Sequence, residues 1–374
     1  MKYTCSVLLL VAACSPLKPP AATDARPLVF VGTYTQDLGF VKGKAAGIYT
    51  CRLDPGSRTL LVTDSTAGID NPSFLALSPD KKYLYAVAEN GGKPEAPYGS
   101  VAAYRVGAAG KLEKINEVPS YGVAPCHIAV DAGGRYVLVA NYATGNVVSF
   151  GIQPDGSLSD SLSMYRHSGA SPRAHMILPV PRRPELALAV DKGADLLMVY
   201  RLENGRLRPA DSLHLAPGAG PRHFDFHPAQ TNLGFVINEN NNSMASVRFG
   251  KDGLHPVVLD TISTLPDDFK GKNTCADVHV HPNGRFVYGS NRGHNSIAIF
   301  KVNAGSGKLT PIGFEPTQGA MPRNFMITPD GKWLLVANQN SDNVATFRIN
   351  PNTGRLTPSG RISRVPTPVC LKME

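Results

Sequence analysis

The chain has 374 residues, 42% of them hydrophobic, and a formal charge of +9. This length suits two or three ordinary domains or one large all-β domain. The 36 Gly and 31 Pro call for many turns, and their even spread excludes collagen and wholesale disorder. The positive charge is scattered, with no basic run beyond a pair such as Arg182–Arg183 and no aromatic RNA-binding motif, so nucleic acid is set aside as a partner.

Residues 1–14, MKYTCSVLLLVAAC, carry one Lys and then an apolar run too short to span a bilayer. Small residues before Cys14 resemble a bacterial lipobox, which predicts a lipoprotein-type signal peptide with Cys14 lipidated. The alternative is an ordinary signal peptide or an N-terminal strand. Residues 15–27, rich in Pro and small side chains, read as a linker. Together these predict an extracytoplasmic protein, periplasmic or tethered to the outer membrane of a bacterium. The remaining cysteines, Cys51, Cys126, Cys275 and Cys370, have neither CxxC nor zinc-finger spacing and read as buried thiols.

From about Leu28 onward one pattern repeats. Each copy runs strand, PDGK-like turn, strand, polar turn, strand, Gly-x-Leu turn, strand. Phe74, His127, His175, His223, Asp277, Asn324 and Cys370 align as the start of the first strand, at steps of 46 to 54 residues. Leu60, Leu112, Leu158, Leu207, Leu254, Leu309 and Leu356 mark the same copies a second time. Seven sets of four antiparallel strands predict an all-β fold, a seven-bladed β-propeller spanning 28–374. The chain starts with a second strand, LVFVGTYT, and ends with a first strand, TPVCLKM, so one blade is expected to be closed by strands from both termini.

In an antiparallel blade the start of strand one lies beside the end of strand two. The motif GPRH at 220–223 and the pair Asn238–Glu239 therefore face the same mouth of the ring. Repeated around the axis, such positions form a collar. One set is the aligned series above with its preceding residues, including Arg222 and Arg323. The other is Ala88–Glu89, Asn141–Tyr142, Asp191–Lys192, Asn238–Glu239, Asn291–Arg292 and Asn338–Gln339, with Gly32–Thr33 from the N-terminus. The strand interiors are alike between copies while the collar varies in charge, which fits an asymmetric ligand. The collar nominates Glu89, His127, Asn141, His223, Asn238, Arg323 and Asn338 as substrate-binding residues.

The stretches VGTYT, GIYTCRLD, NPSFLALSPDKKYLYAVAE, PCHIAVD, GPRHFDFHP, VINE and FVYGSNRGHNSIAIF resemble the lactonase family of seven-bladed propellers. That family includes propeller-type 6-phosphogluconolactonases and carboxy-cis,cis-muconate cyclases. The resemblance implies hydrolysis of a sugar lactone and does not itself imply a metal; no cofactor is expected. It points to His175, Arg222, Glu239 and Arg292 as the catalytic group. Lactone hydrolysis needs a base for water and a cation for the oxyanion; Glu239 or His175 suits the first role, Arg222 and Arg292 the second.

Each assignment has a structural alternative. A His at a strand start is often a satisfied core residue, and Arg222 or Arg323 can stitch two blades together. The pair His279/His281 has spacing compatible with a metal but reads as half-buried strand histidines, and Glu239, Asn238, Asp277 and Asn324 imitate a calcium site. Walker, GxSxG, HExxH and Rossmann motifs are missing. The expected partner is a small lactone or carboxylate. A muconate cycloisomerase and a non-enzymatic binding propeller are the competing functions.

Overall fold

A computed structural model describes residues 26–374 together with residues 1, 3 and 24. The signal peptide, Cys14 and nearly all of the 15–27 linker lie outside the described residues. Seven four-stranded antiparallel sheets follow one another around an axis, as expected. Two single turns of 3-10 helix, Ala108–Gly110 and Gln339–Ser341, are the helical segments among the described residues. No helix of the described residues is long and apolar enough to cross a membrane.

The blade that closes the ring joins the two termini. Pro368–Met373 is its inner strand and pairs with Leu28–Thr33, with Val31 opposite Leu371 and Gly32 opposite Cys370. Ile48–Leu53 and Leu60–Thr66 complete it. In each sheet the inner strand turns its free edge to the channel and the outermost strand turns its own to solvent.

Burial follows distance from the axis. The second strands, such as Tyr136–Asn141 and Phe286–Arg292, are covered on both faces by neighbouring blades and are almost entirely buried. The outer strands are mostly exposed: Leu60–Thr66 buries its first residue and exposes most of the rest. The repeated Gly-x-Leu turn has a physical reason. Leu60, Leu112, Leu158, Leu207, Leu309 and Leu356 are buried between sheets, each contributing roughly 1.5–3 kcal/mol. Several also donate their backbone N–H to a side chain of the preceding blade's outer strand: Leu60 to Ser363 Oγ at 2.7 Å, Leu158 to Asn116 Oδ1 at 3.0 Å, and Leu309 to Asp260 Oδ2 at 3.0 Å. The landmark is thus the lock between successive blades. Cys51, Cys126, Cys275 and Cys370 are buried free thiols, as read from their spacing.

One local irregularity decides which inner-strand side chains face which end of the channel. The inner strands do not pair regularly at their first residues. In Pro221–Phe226, Pro221 lies opposite Asn238 and His223 opposite Ile237, so Arg222 is the extra residue of a β-bulge. The same slip makes Cys126 the bulged residue in Pro125–Val130, His175 in Ala174–Val180 and Arg323 in Pro322–Ile327. A bulge re-aims the side chain it carries. Here it sends that side chain to one mouth of the axial channel and the following residue toward the other.

Candidate active site

A cavity of about 300 Å³ opens at the mouth that the bulged residues face. Cys126, His175, Arg222 and Arg323 reach it from the inner strands, and Glu89, Tyr142, Lys192, Glu239 and Arg292 from the ends of the second strands. Phe40 closes one side from the loop after Leu28–Thr33.

Glu239 is the hub. Its Oε1 accepts from Lys192 Nζ at 2.6 Å, and its Oε2 lies 3.0 Å from both Arg222 Nε and Arg292 Nη2. Burial alone would raise this carboxyl, but Arg292, Arg222 and Lys192 outweigh it and lower it to about 2. Glu239 is therefore a firmly ionised anchor and a poor base. The two arginines are fixed from behind. Arg222 Nη1 donates to Ala276 O at 2.5 Å, and Arg292 Nη2 donates to Cys275 O at 2.8 Å. Both arginines form ion pairs with Glu239, Arg222 through Nε and Arg292 through Nη2, and both Nε–H groups lack a well-directed acceptor. Donor capacity is left unspent in a buried place.

The backbone explains the motif GPRH. Gly220 has φ +65°, and a Cβ there would meet the Asn240 side chain at 2.5 Å. Asp195 accepts from the Gly218 and Gly220 amides at 2.6 and 2.7 Å, and Gly220 O accepts from Glu239 N at 2.6 Å. The turn thus clamps the Arg222 strand to the Glu239 strand end. Lys192 is set by a similar device: the Asp191 carboxylate accepts from the backbone amides of Arg173, Gly193 and Ala194 at 2.7 to 2.9 Å.

His175 is buried, and its Nδ1 has no hydrogen-bond partner. Burial, reinforced by Arg222, His223, Arg323 and Lys192, holds its imidazole well below the usual histidine range. It is neutral at pH 7. Cys126 also lines the cavity, but burial pushes its thiol up, which removes it as a nucleophile. Arg323 donates to Tyr34 Oη at 2.8 Å, and Tyr34 Oη donates to Glu89 Oε2 at 2.8 Å. The lining carries four cationic and two anionic side chains, with His175 neutral. Such a surplus receives an anion or a developing negative charge.

The family model of the lactonases, "Lactonase, 7-bladed beta-propeller", matches residues 28–373. The chain belongs to the lactonase family of seven-bladed β-propellers. It is 36% identical over 304 residues to a 6-phosphogluconolactonase of Bacillus subtilis, covering 79% of this chain and 84% of the relative. A solved structure of a periplasmic gluconolactonase from Pseudomonas aeruginosa superposes with a TM-score of 0.84 at 29% identity, covering 93% of this chain and 99% of the other. A protein from Lactobacillus plantarum gives 0.85 at 30% identity, covering 93% and 99%.

Within this lactonase-family propeller, His175, Arg222, Glu239 and Arg292 line one cavity together with Glu89 and Arg323. Five other candidates do not line it. His127 and His223 face the opposite end of the channel with Asp277 and Asn324. Asn141, Asn238 and Asn338 are buried ties: Asn141 Nδ2 donates to Ser120 O at 3.0 Å, Asn238 Nδ2 to Ser243 Oγ at 2.9 Å, and Asn338 Nδ2 to Thr317 O at 2.8 Å.

Two one-residue slips separate the aligned repeat from the observed register. The alignment of His175 with His127 and His223 is corrected by the pairing, which makes His175 the equivalent of Arg222 and Met176 that of His223. Pro172–Arg173 imitates Pro221–Arg222 in sequence, but the strand begins at Ala174. Likewise Thr33 lies opposite Pro368, so Tyr34, not Thr33, matches Glu239. A shift of one residue moves a side chain to the other face. Lys192, Tyr142 and Phe40 were not nominated. The first two stand in the same slot as Glu239, and their divergence between copies is the signal that marks them; Phe40 stands outside the repeat. His281 contacts Gly331 O at 2.8 Å and His279 contacts Asp277 Oδ2 at 3.1 Å. Among the described residues no group of three or more His, Cys, Asp or Glu is placed to hold a metal.

Proposed function

We propose that the cavity hydrolyses a sugar lactone. The observation that carries this reading is a buried imidazole, His175, with no partner at Nδ1, sharing one cavity with two arginines whose donors are incompletely used. Water attacks the lactone carbonyl and His175 takes its proton. Arg222 and Arg292 face the tetrahedral oxyanion. The intermediate collapses with cleavage of the ring C–O bond, and the imidazolium returns its proton to the leaving alkoxide. An imidazole held below the usual range is a weaker base for the first step and a stronger acid for the second. An anion drawn to the arginines raises it and restores the balance. Glu239 remains ionised and keeps Arg222, Arg292 and Lys192 in place. Names of similar proteins support the substrate class, since one is a 6-phosphogluconolactonase and another a gluconolactonase. The word periplasmic in the latter's description agrees with the extracytoplasmic reading of the leader.

The test is acid release from a lactone panel that includes 6-phosphoglucono- and glucono-1,5-lactone. Arg292→Ala and Glu239→Gln are each expected to lower kcat/KM by ~10²–10³, the usual loss for an oxyanion donor or its support. Undiminished hydrolysis by both variants would falsify the assignment.

A further inference from the structure

Phe40 is the odd member of the cavity. The lining is otherwise dominated by charged and polar side chains, and Phe40 is 61% exposed. An exposed phenyl ring adds nothing to the core. Yet the loop that carries it is built to hold it still. Tyr34, Val41 and Val369 are buried as a small cluster with Leu38 packed against it. Leu38 N donates to Val41 O at 2.9 Å and Gly43 N to Gln36 O at 3.0 Å, with Asp37 and Lys42 forming an isolated β-bridge. Asp37 Oδ1 accepts from Gly39 N at 2.9 Å. At its base, Tyr34 Oη is tied to both Arg323 and Glu89. The result is a short, pinned hairpin with Phe40 near its tip.

The ring's surroundings leave a face to offer. Its contact with Tyr34 is edge-type, with centroids 5.8 Å apart and planes at 88°. The Arg323 guanidinium lies over one face of the ring, 5.9 Å from its centroid, so the face on offer is the opposite one. The other aromatic side chain of the lining, Tyr142, is already engaged: Arg173 and Lys192 lie 5.7 and 5.8 Å from its ring centre, and His175 meets it at 5.6 Å.

We propose that Phe40 is the stacking platform for the substrate ring and favours cyclic polyhydroxylated lactones. The proposal rests on the lactonase reading above. A sugar ring has a rim of hydroxyl groups and two faces of C–H bonds polarised by neighbouring oxygens. Those hydrogens carry partial positive charge and complement the negative face of a phenyl ring. The hydroxyl rim and the carbonyl are left for the charged side chains opposite. Phe40 is thus a positioning residue that binds the ring and takes no part in proton transfer.

Glucono-1,5-lactone hydrolysis by Phe40→Leu and Phe40→Trp separates this role from simple apolar cover. Leu keeps an apolar side chain without a π face; Trp keeps the face. Phe40→Leu is expected to raise KM about three- to tenfold, the scale of one aromatic contact, with kcat and the melting temperature nearly unchanged. Phe40→Trp is expected to stay within about twofold of the native enzyme, because the uniform binding interaction survives. A native KM for Phe40→Leu, or equal impairment of both variants, overturns the proposal. Arg292→Ala run in parallel tells two failures apart. An inactive Arg292→Ala beside a native Phe40→Leu rejects the stacking alone, whereas an active Arg292→Ala rejects the site as a whole.

Discussion

The two ends of the axial channel are built from adjacent residues of the same inner strands, yet their polar groups are in opposite states. At the cavity end, Arg222 and Arg292 keep Nε–H groups without an aligned acceptor, and His175 Nδ1 has no partner. At the far end, Asp277 is saturated. Its Oδ1 accepts from His223 at 2.7 Å and Val278 N at 3.1 Å; its Oδ2 accepts from Asn324 at 2.5 Å, His279 at 3.1 Å and Phe325 N at 3.2 Å. Burial would raise that carboxyl, but His279 and His223 reverse the effect and hold it well below the usual range. A satisfied network fixes structure, whereas an unsatisfied one is completed by a ligand. This difference is what supports the proposal that one mouth holds the reaction while the other stabilises the ring, although both contain histidines and acids.

The most severe way to break this comparison is to exchange the neighbours. In the double variant His175→Met with Met176→His, the imidazole moves one residue along the strand and faces the far end. If location decides the role, the exchange loses as much activity as His175→Met alone, by ~10²–10⁴, the span of general acid–base catalysis. Near-native hydrolysis by the double variant would show that the two faces are interchangeable. Next in size is Asp277→Ala. Removing one partner of a buried ionic network costs about 3–5 kcal/mol, so denaturant unfolding should register a large loss of stability. The kcat of the protein that remains folded should change little. A kcat loss comparable to that of Arg292→Ala would place Asp277 in the catalytic machinery and erase the distinction.

The architecture was legible because each copy repeats the same physical demand. A Leu packed between sheets must follow the turn, buried in six copies and half-buried at Leu254, and the second strand must be apolar on both faces. Which residue at a strand start faces which mouth was not legible to the same degree. That choice is made by a β-bulge, and a bulge leaves no fixed residue behind: its position carries Cys126, His175, Arg222 and Arg323 in four copies. His175 itself offered the false register, and one residue of error was enough to group it with His127 and His223. The asparagines Asn141, Asn238 and Asn338 recur because each ties a strand end to a neighbour, a loop for Asn141 and Asn338 and the start of the next strand for Asn238. Their likeness between copies, set against the varied residues beside them, was the clue to a structural role. Phe40 has no counterpart in the repeat, so no periodic argument reaches it.

The smallest effect concerns pH and again separates the two ends. Burial, then Arg222, lowers the His223 imidazole to about 4, although Asp277 pulls the other way. Burial likewise holds His127 well below the usual value of 6.5. In the unfolded chain these imidazoles take up protons below about pH 6.5; in the folded protein His223 does so only near 4. Their contribution to stability is therefore complete above pH 6.5. It is lost as pH falls from 6.5 to 4, by up to ~1.4 kcal/mol per pH unit for each imidazole. His279 has the opposite sign: Asp277 outweighs the burial that would lower it, so its contribution is present below 6.5 and fades as pH rises through its folded value. Urea unfolding between pH 5 and 6 should thus show a steep slope that His223→Gln reduces by up to ~1.4 kcal/mol per unit, whatever it costs in absolute stability. An unchanged slope would mean that His223 is protonated in the folded ring. The far end would then carry its own positive charge, and the contrast between a spent and an unspent mouth would have to be drawn elsewhere.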